Sequence, residues 1–174
     1  MNGARNFELP QAVAIAEAFG AERVEYLFIG RSGAILLGYP GITQDVDLFV
    51  EKSGANGRRI VAALERLGFP LDAPLRADIL RGRDFVQIKS GPFDLDLVFA
   101  PDGIASFAEA RSRRIVHENF PVASLGDIIA SKRASAREKD LIELPLLERF
   151  LVEYERLHPR PLKSAWEIDR QKPL

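Results

Sequence analysis

The chain has 174 residues, which is the size of one domain with at most a small appendage. Its 24 basic and 25 acidic residues give a formal net charge of −1, so overall charge gives no indication of a nucleic-acid partner. Cysteine is absent and only two histidines occur, which excludes disulfides and zinc–thiolate sites and disfavours a histidine-built metal site. Since the sequence has no apolar run long enough to span a bilayer and no signal-peptide pattern, we expect a cytoplasmic protein without membrane contact.

The first half of the chain alternates predicted helices and strands, as judged from apolar spacing and from glycine and proline stops. In chain order these are a helix opened by Pro10, a buried strand over 24–29, a short helix ending at Gly38, a strand over 45–50, and a helix that Ser53 or Asn56 caps and Gly68 closes.

The second half begins with an irregular connection around Pro70 and Pro74 and ends in helices. Its predicted elements are a hairpin of strands over 85–88 and 93–99, a short helix over 104–110, a basic extended segment over 113–122, a helix capped by Ser124, and a last helix that Pro145 starts or kinks.

Strands with flanking helices, followed by helices alone, predict an α+β fold. We expect a mixed, mainly antiparallel sheet of about four to six strands, with helices on one face and a helical C-terminal region. The predicted divisions are an α/β core over 1–123, a helical region over 124–158, and an extended surface tail over 159–174.

Two aspartates at the start of a predicted strand are the first candidate site. Asp45 and Asp47 project from the same face, because side chains two apart on a strand share a face. Two carboxylates this close are costly unless a cation neutralises them, and oxygen-only ligands suit Mg²⁺ or Mn²⁺. An isolated pair of this kind is more often two solvated aspartates at a strand start. The apolar residues follow the pair, whereas haloacid-dehalogenase phosphatases and many glycosyltransferases place them before it.

A second pair, Asp94 and Asp96, alternates with apolar residues on a later strand. If that strand neighbours the first, a third carboxylate comes within reach of the same cation, since adjacent strands lie about 5 Å apart. Three aspartates on one sheet face are typical of a two-metal site for phosphoryl transfer.

The turn between the first predicted strand and the short helix is the second candidate. Gly30, Arg31, Ser32 and Gly33 form it, and backbone N–H groups there, together with the serine hydroxyl, suit a phosphate anion. A glycine turn between a strand and a helix is most often only a turn. Its position fifteen residues before the aspartate pair favours a triphosphate cradle.

These residues, in this order, resemble the DNA polymerase β-like nucleotidyltransferase superfamily. The matching positions are Gly30 with Ser32, Asp45 with Asp47, and Asp96, which is preferred to Asp94 because apolar residues and a proline follow it. The segment that carries most of them, IGRSGAILLGYPGITQDVDLFV, is similar to bacterial minimal nucleotidyltransferases, including those related to the AbiEii toxins.

A later segment, ASLGDIIASKRASAREKDLIEL, is similar to the stretch that follows the sheet in those proteins. Lys132, Arg137, Lys139 and Asp140 occupy the matching positions, and the resemblance covers about residues 24–150. One departure concerns Arg31, which stands where relatives have a second glycine. Its side chain could crowd the phosphates or pair with them.

The resemblance implies a metal-dependent enzyme that moves a nucleoside monophosphate from an NTP such as ATP to a hydroxyl. Asp45, Asp47 and Asp96 would be the catalytic residues and hold Mg²⁺ or Mn²⁺. Nucleotide-binding residues would be Gly30, Arg31, Ser32 and Lys132, although Lys132 has an equally good interpretation as a solvated helix lysine. The acceptor, whether tRNA, protein or small molecule, is left open, and a cognate toxin or antitoxin is a further implied partner.

A non-catalytic, antitoxin-like binding or regulatory domain of the same fold is the alternative, and Arg31 is its main support. A basic patch of Arg111, Arg113 and Arg114 could bind an acceptor, but a solvated strand edge is the better interpretation. His117 and Trp166 give no functional signal.

Overall fold

A computed structural model describes residues 6–159, which form seven helices and one six-stranded sheet. The helices are α1 (Leu9–Ala21), α2 (Gly30–Leu36), α3 (Gly54–Arg66), α4 (Ala73–Arg81), α5 (Phe107–Arg113), α6 (Leu125–Ser135) and α7 (Glu138–Leu157). The strands are β1 (Tyr26–Ile29), β2 (Val46–Val50), β3 (Phe85–Ile88), β4 (Leu95–Val98), β5 (Ile115–His117) and β6 (Phe120–Val122). The tail predicted over 159–174 lies, beyond its first residue, outside the described residues.

The sheet has the strand order β3-β4-β2-β1-β6-β5. Strand β2 pairs antiparallel with β1 and parallel with β4, and three of the five pairings in the sheet are antiparallel. The α+β class and the mixed sheet predicted from the sequence are therefore confirmed. The central strands are buried because both of their faces are covered: all four residues of β1 are buried.

The two faces of the sheet pack against different helices. Tyr26, on the first face, packs edge to face against Phe19 of α1, with 5.0 Å between the ring centroids. Phe49, on the second face, packs at 5.1 Å against Phe107 of α5. Helix α6 packs against both α2 and α7. In addition to the helices on the first face, α5 therefore covers apolar residues of the second face, which also carries Asp47.

The connection around Pro70 and Pro74 is the clearest error of the sequence interpretation. The structure has helix α4 there, and Pro74 lies in its first turn, where the missing backbone N–H removes no helical hydrogen bond. The Asp72 side chain caps the helix by accepting a hydrogen bond from the Leu75 N–H at 2.9 Å. Gly82, at φ 67°, ends it. Pro70 lies in the irregular connection that the sequence predicts, whereas Pro74 marks the start of a helix.

The structure refines two other expectations and corrects a third, the start of the helix expected over 104–110. The basic extended segment over 113–122 contains the short hairpin of β5 and β6. The helix expected over 104–110 begins only after Ser106, whose side chain caps α5. Pro145 does not start the last helix but lies inside α7. The carbonyl of Leu141, which Pro145 leaves without a helical donor, belongs to an exposed residue and can be hydrated.

Asn56 joins α3 to the backbone before β1 and after β2, at the end of these strands opposite Asp47. Its buried side chain accepts from the Glu25 N–H at 2.8 Å and donates to the carbonyl oxygens of Glu25 and Glu51 at 3.0 and 2.8 Å. Ser53 rather than Asn56 provides the cap of α3. The side-chain amide of Asn56 therefore makes the hydrogen bonds that water would otherwise make to the backbone groups before β1 and after β2.

We expect Asn56→Ala to lower the free energy of unfolding by about 2–4 kcal/mol, because it leaves the three hydrogen bonds of this buried side chain unmade. Ser53→Ala, which removes only the cap, should cost about 1 kcal/mol. Urea unfolding of both variants checks this, and an equal loss for the two would contradict the bridging role of Asn56.

Candidate active site

A cleft of about 560 Å³ lies on the second face of the sheet. Strands β2 and β4 form its floor, and α2, α6 and the first two turns of α7 form its walls. Seven carboxylates and four cations line it, which gives an excess of three negative charges. The acids are Asp45, Asp47, Asp84, Asp96, Asp102, Asp140 and Glu143, and the bases are Arg31, Lys132, Arg137 and Lys139.

Asp47 and Asp96 are direct neighbours on adjacent strands. They are register partners in the parallel pairing of β2 with β4, so their side chains leave the sheet on the same face about 5 Å apart. The condition that the sequence left open, that the two aspartate-bearing strands be neighbours, is met. Asp94 precedes β4 and does not line the cleft, which agrees with the choice of Asp96 as the third carboxylate.

Both carboxylates have a raised proton affinity. Burial, followed by the charges of Asp96 and Asp45, raises the pKa of Asp47 to about 7. Burial and the charge of Asp45 raise the pKa of Asp96 to about 6. Among the residues that the structure describes, the buried Oδ1 of Asp96 has no hydrogen-bond partner. Both observations indicate a place where a cation would be stabilised.

Asp45 lies one residue before β2, and its carboxylate faces the turn between β3 and β4. Lys89 of that turn is 3.9 Å from Asp45 Oδ1 and 3.5 Å from Asp94 Oδ2. In the described range 6–159, no three acidic or histidine side chains converge closely enough to hold a single metal ion. The carboxylate oxygens of Asp45, Asp47 and Asp96 are donor types that fit Mg²⁺ or Mn²⁺, and the buried Oδ1 of Asp96 is unpartnered among the described residues.

Gly30 is required by the position of Asp47. A Cβ at residue 30 would lie 2.5 Å from Asp47 Oδ2, and the backbone there has φ +64°, a left-handed conformation that favours glycine. The first turn of α2 and the start of β2 approach each other closely. For this reason the glycine turn and the aspartates of the sequence motif lie in one cleft.

Ser32 makes the second link between α2 and β2. Its fully buried hydroxyl donates to the Ile29 carbonyl at 3.1 Å and accepts from the Asp47 N–H at 3.0 Å. It does not line the cleft, although the sequence suggested it as a phosphate ligand. In this structure the hydroxyl fixes the backbone of Asp47.

Lys132 lines the cleft and is only 13% exposed. Its ammonium lies 2.9 Å from Glu143 Oε2 and 3.5 Å from Asp140 Oδ1, both on α7. Burial opposes ionisation of Asp140, but hydrogen bonds from Arg137 and Ser135 and the charge of Lys132 outweigh it, so the pKa of Asp140 is lowered. Lys132 is therefore not the solvated helix lysine of the alternative interpretation.

Arg31 also lines the cleft, and its guanidinium is turned toward α7. Nε donates to Glu143 Oε1 at 2.7 Å, and Nη1 donates to the Ile42 carbonyl at 3.1 Å. Sequence reasoning did not single out Glu143. The available signal was its position three residues after Asp140, which places both acids on one face of the last helix.

The basic patch predicted from 111–114 is largely paired within the protein. Arg113 Nη2 is 3.0 Å from Asp127, and Arg111 Nη1 is 3.2 Å from Glu25. Arg111 and Arg114 line a separate open groove that does not include the aspartates. The patch is thus not part of the candidate active site.

Comparison of the chain with protein-family models gives no match, and comparison with curated proteins gives no significant match. Across residues 6–159, every helix is too short or too polar to cross a lipid bilayer.

The raised pKa values of Asp47 and Asp96 predict an inverted pH dependence of stability. Between about pH 4 and pH 7 the folded protein holds protons on these groups that the unfolded chain has released, because carboxyl groups in unfolded chains titrate near 3.9. Without divalent metal, the free energy of unfolding should therefore fall by about 1–3 kcal/mol as pH rises through this window.

Urea unfolding at pH 5, 6, 7 and 8 in EDTA measures this slope. The double variant Asp47→Asn/Asp96→Asn should show little of it. The prediction fails if stability rises over this window in the wild type, or if the two proteins have the same slope.

Proposed function

We propose that the protein is a metal-dependent nucleotidyltransferase that moves a nucleoside monophosphate from an NTP to a hydroxyl acceptor. The observation that carries the proposal is the adjacent pair Asp47 and Asp96, with an unpartnered buried oxygen, in a cleft with cations on its other walls. Acidic donors suit a divalent cation, and cationic side chains suit the phosphates that this cation would accompany.

Asp45, Asp47 and Asp96 are the residues that would hold Mg²⁺ or Mn²⁺. The metal would supply charge neutralisation on the triphosphate and on the pyrophosphate that leaves. Asp96 orients the acceptor hydroxyl and accepts its proton as the acceptor oxygen bonds to the α-phosphorus. The bond from the α-phosphorus to the bridging oxygen breaks on the opposite side, and pyrophosphate carries away the electron pair.

The remaining cleft residues position these groups and neutralise charge. Gly30 allows the Asp47 carboxylate to approach α2, and Ser32 fixes the Asp47 backbone by the hydrogen bond to its N–H. Lys132 neutralises phosphate charge from the opposite wall. This gives Gly30 and Ser32 structural roles in the site rather than direct contact with nucleotide.

The test is transfer of label from α-labelled NTPs to a component of cell extract in the presence of Mg²⁺ or Mn²⁺. We expect labelling by the wild type with α-labelled but not γ-labelled nucleotide, and none by Asp45→Asn/Asp47→Asn. Equal labelling by the wild type and the variant would reject the proposal. Label from the γ position alone would indicate a kinase reaction instead.

The resemblance to minimal nucleotidyltransferases and AbiEii-related toxins supports the same assignment. We further propose tRNA, a protein or a small molecule as the acceptor, and a cytoplasmic location, as expected from the sequence. A cognate toxin or antitoxin is its expected protein partner.

A non-catalytic regulatory domain is the second candidate, and the ion pairs of Arg31 and Lys132 with Glu143 favour it, because they neutralise the cationic wall. Thermal unfolding with and without millimolar Mg²⁺ or Mn²⁺ plus an NTP discriminates the two. A rise in melting temperature that disappears in Asp45→Asn/Asp47→Asn supports the enzyme. No rise, together with tight association to a co-purifying protein, supports the regulatory domain.

A further inference from the structure

Glu143 receives two cations from two different elements. Its Oε1 accepts from Arg31 Nε of α2 at 2.7 Å, and its Oε2 lies 2.9 Å from Lys132 Nζ of α6. The carboxylate is only 5% exposed, whereas the Arg31 side chain is 38% exposed. One buried acid on α7 thus determines where two cations of the cleft wall point.

The two partners of Glu143 are not equivalent. Lys132 is nearly buried and remains 3.5 Å from Asp140, so it is tied to two acids. Arg31 is bound to Glu143 and to the Ile42 carbonyl and lies next to Gly30 in the first turn of α2. If Arg31 moves away, Glu143 still has Lys132 as counter-charge, and no buried charge is left unpaired. Releasing Arg31 is therefore the less costly movement.

A triphosphate in the cleft would compete with Glu143 for Arg31. Guanidinium groups bind carboxylates and phosphates with the same paired N–H geometry, so the same donors serve either partner. Because Arg31 lines the cleft that holds Asp47, a phosphate bound there has this guanidinium on its wall.

We propose that Arg31 is a nucleotide-phosphate ligand and that Glu143 binds its guanidinium while the cleft is empty. Glu143 thereby lowers the affinity of the cleft for the triphosphate. The inference rests on the proposed function and adds to it. Arg31, which stands in place of the second glycine, then binds phosphate and does not block the phosphate site. In the free protein its charge is paired with Glu143.

The test is a double-mutant cycle on binding. Isothermal titration with inorganic tripolyphosphate and with Mg²⁺ complexes of the four common NTPs is carried out on wild type, Glu143→Gln, Arg31→Gln and the double variant. We expect Glu143→Gln to bind the probes about tenfold more tightly and Arg31→Gln about tenfold more weakly. In the Arg31→Gln background, Glu143→Gln should change affinity much less. Arg113→Gln, which loses a similar ion pair outside the cleft, is the matched control and should leave binding unchanged.

A folded Glu143→Gln protein that binds the probes as weakly as wild type, or more weakly, overturns the inference, since a merely structural ion pair predicts that result. If Glu143→Gln does not fold, an NMR measurement on the wild type tests the inference. The Arg31 Nε–H resonance, assigned by comparison with Arg31→Lys, should shift on addition of tripolyphosphate, and an unchanged resonance at saturation overturns the inference. Failure of the proposed function is separate: wild type would then transfer no label and bind no Mg²⁺–NTP, whatever the variants do with tripolyphosphate.

Discussion

Asp96→Asn is expected to reduce nucleotide transfer by about a thousandfold and, in the absence of divalent metal, to stabilise the protein. The loss of activity follows from removing a carboxylate that would hold the metal and accept the acceptor's proton. The gain in stability follows because the variant no longer buries the Asp96 carboxylate. That charge is unfavourable in its buried position, and it also raises the pKa of the neighbouring Asp47.

Label transfer at saturating NTP measures the first effect, and thermal unfolding in EDTA at pH 8 measures the second. Asp94→Asn is the matched control, because it lies two residues away, pairs with Lys89 and does not line the cleft. It should retain activity within about threefold and gain no stability. If Asp94→Asn were inactive and Asp96→Asn active, the assignment of the third carboxylate would be wrong.

Gly30→Ala should have the second large effect, on folding and activity together. The added Cβ would lie 2.5 Å from Asp47 Oδ2 in a backbone conformation with φ +64°. The left-handed conformation alone costs about 1–2 kcal/mol for alanine, and displacement of α2 or of Asp47 adds to it. We expect a total loss of about 2–4 kcal/mol in the free energy of unfolding, and transfer activity near background.

Gly126→Ala is the control for this variant. Gly126 is an exposed residue in α6, and within residues 6–159 an added Cβ would meet Ser124 Oγ at 3.8 Å and no other atom within 4 Å beyond its chain neighbours and the backbone of its own helix. Alanine there should be neutral or should stabilise by about 0.5–1 kcal/mol, with activity unchanged. Chemical denaturation and label transfer on both variants test the pair. Full activity in Gly30→Ala would show that contact between α2 and Asp47 is not needed.

Parts of the fold and site could be predicted because local rules decide them. The alternation around Asp45 and Asp47 places both on one strand face, as the period of a strand requires. The caps at Ser53 and Ser124 accept hydrogen bonds from residues three positions later in the chain. The α4 region was missed for a local reason too: Pro70 and Pro74 read as breakers, although a proline in the first turn of a helix starts it equally well.

The carboxylate pairs, the glycine turn and most of the helices and strands can be predicted from the sequence, since these depend on neighbours within a few residues. The pairing of β4 with β2, which brings Asp47 and Asp96 together across 49 positions of the chain, is known only from the fold. The contact of Arg31 with Glu143, which are 112 positions apart, is likewise known only from the fold. Such pairings depend on how helices and strands pack to bury Leu48, Leu97 and the rest of the core. They cannot be predicted from the pattern of neighbouring residues in the sequence. The three candidate metal-binding aspartates could therefore be named from the sequence, whereas the ion pairs of Glu143 with Arg31 and Lys132 could not.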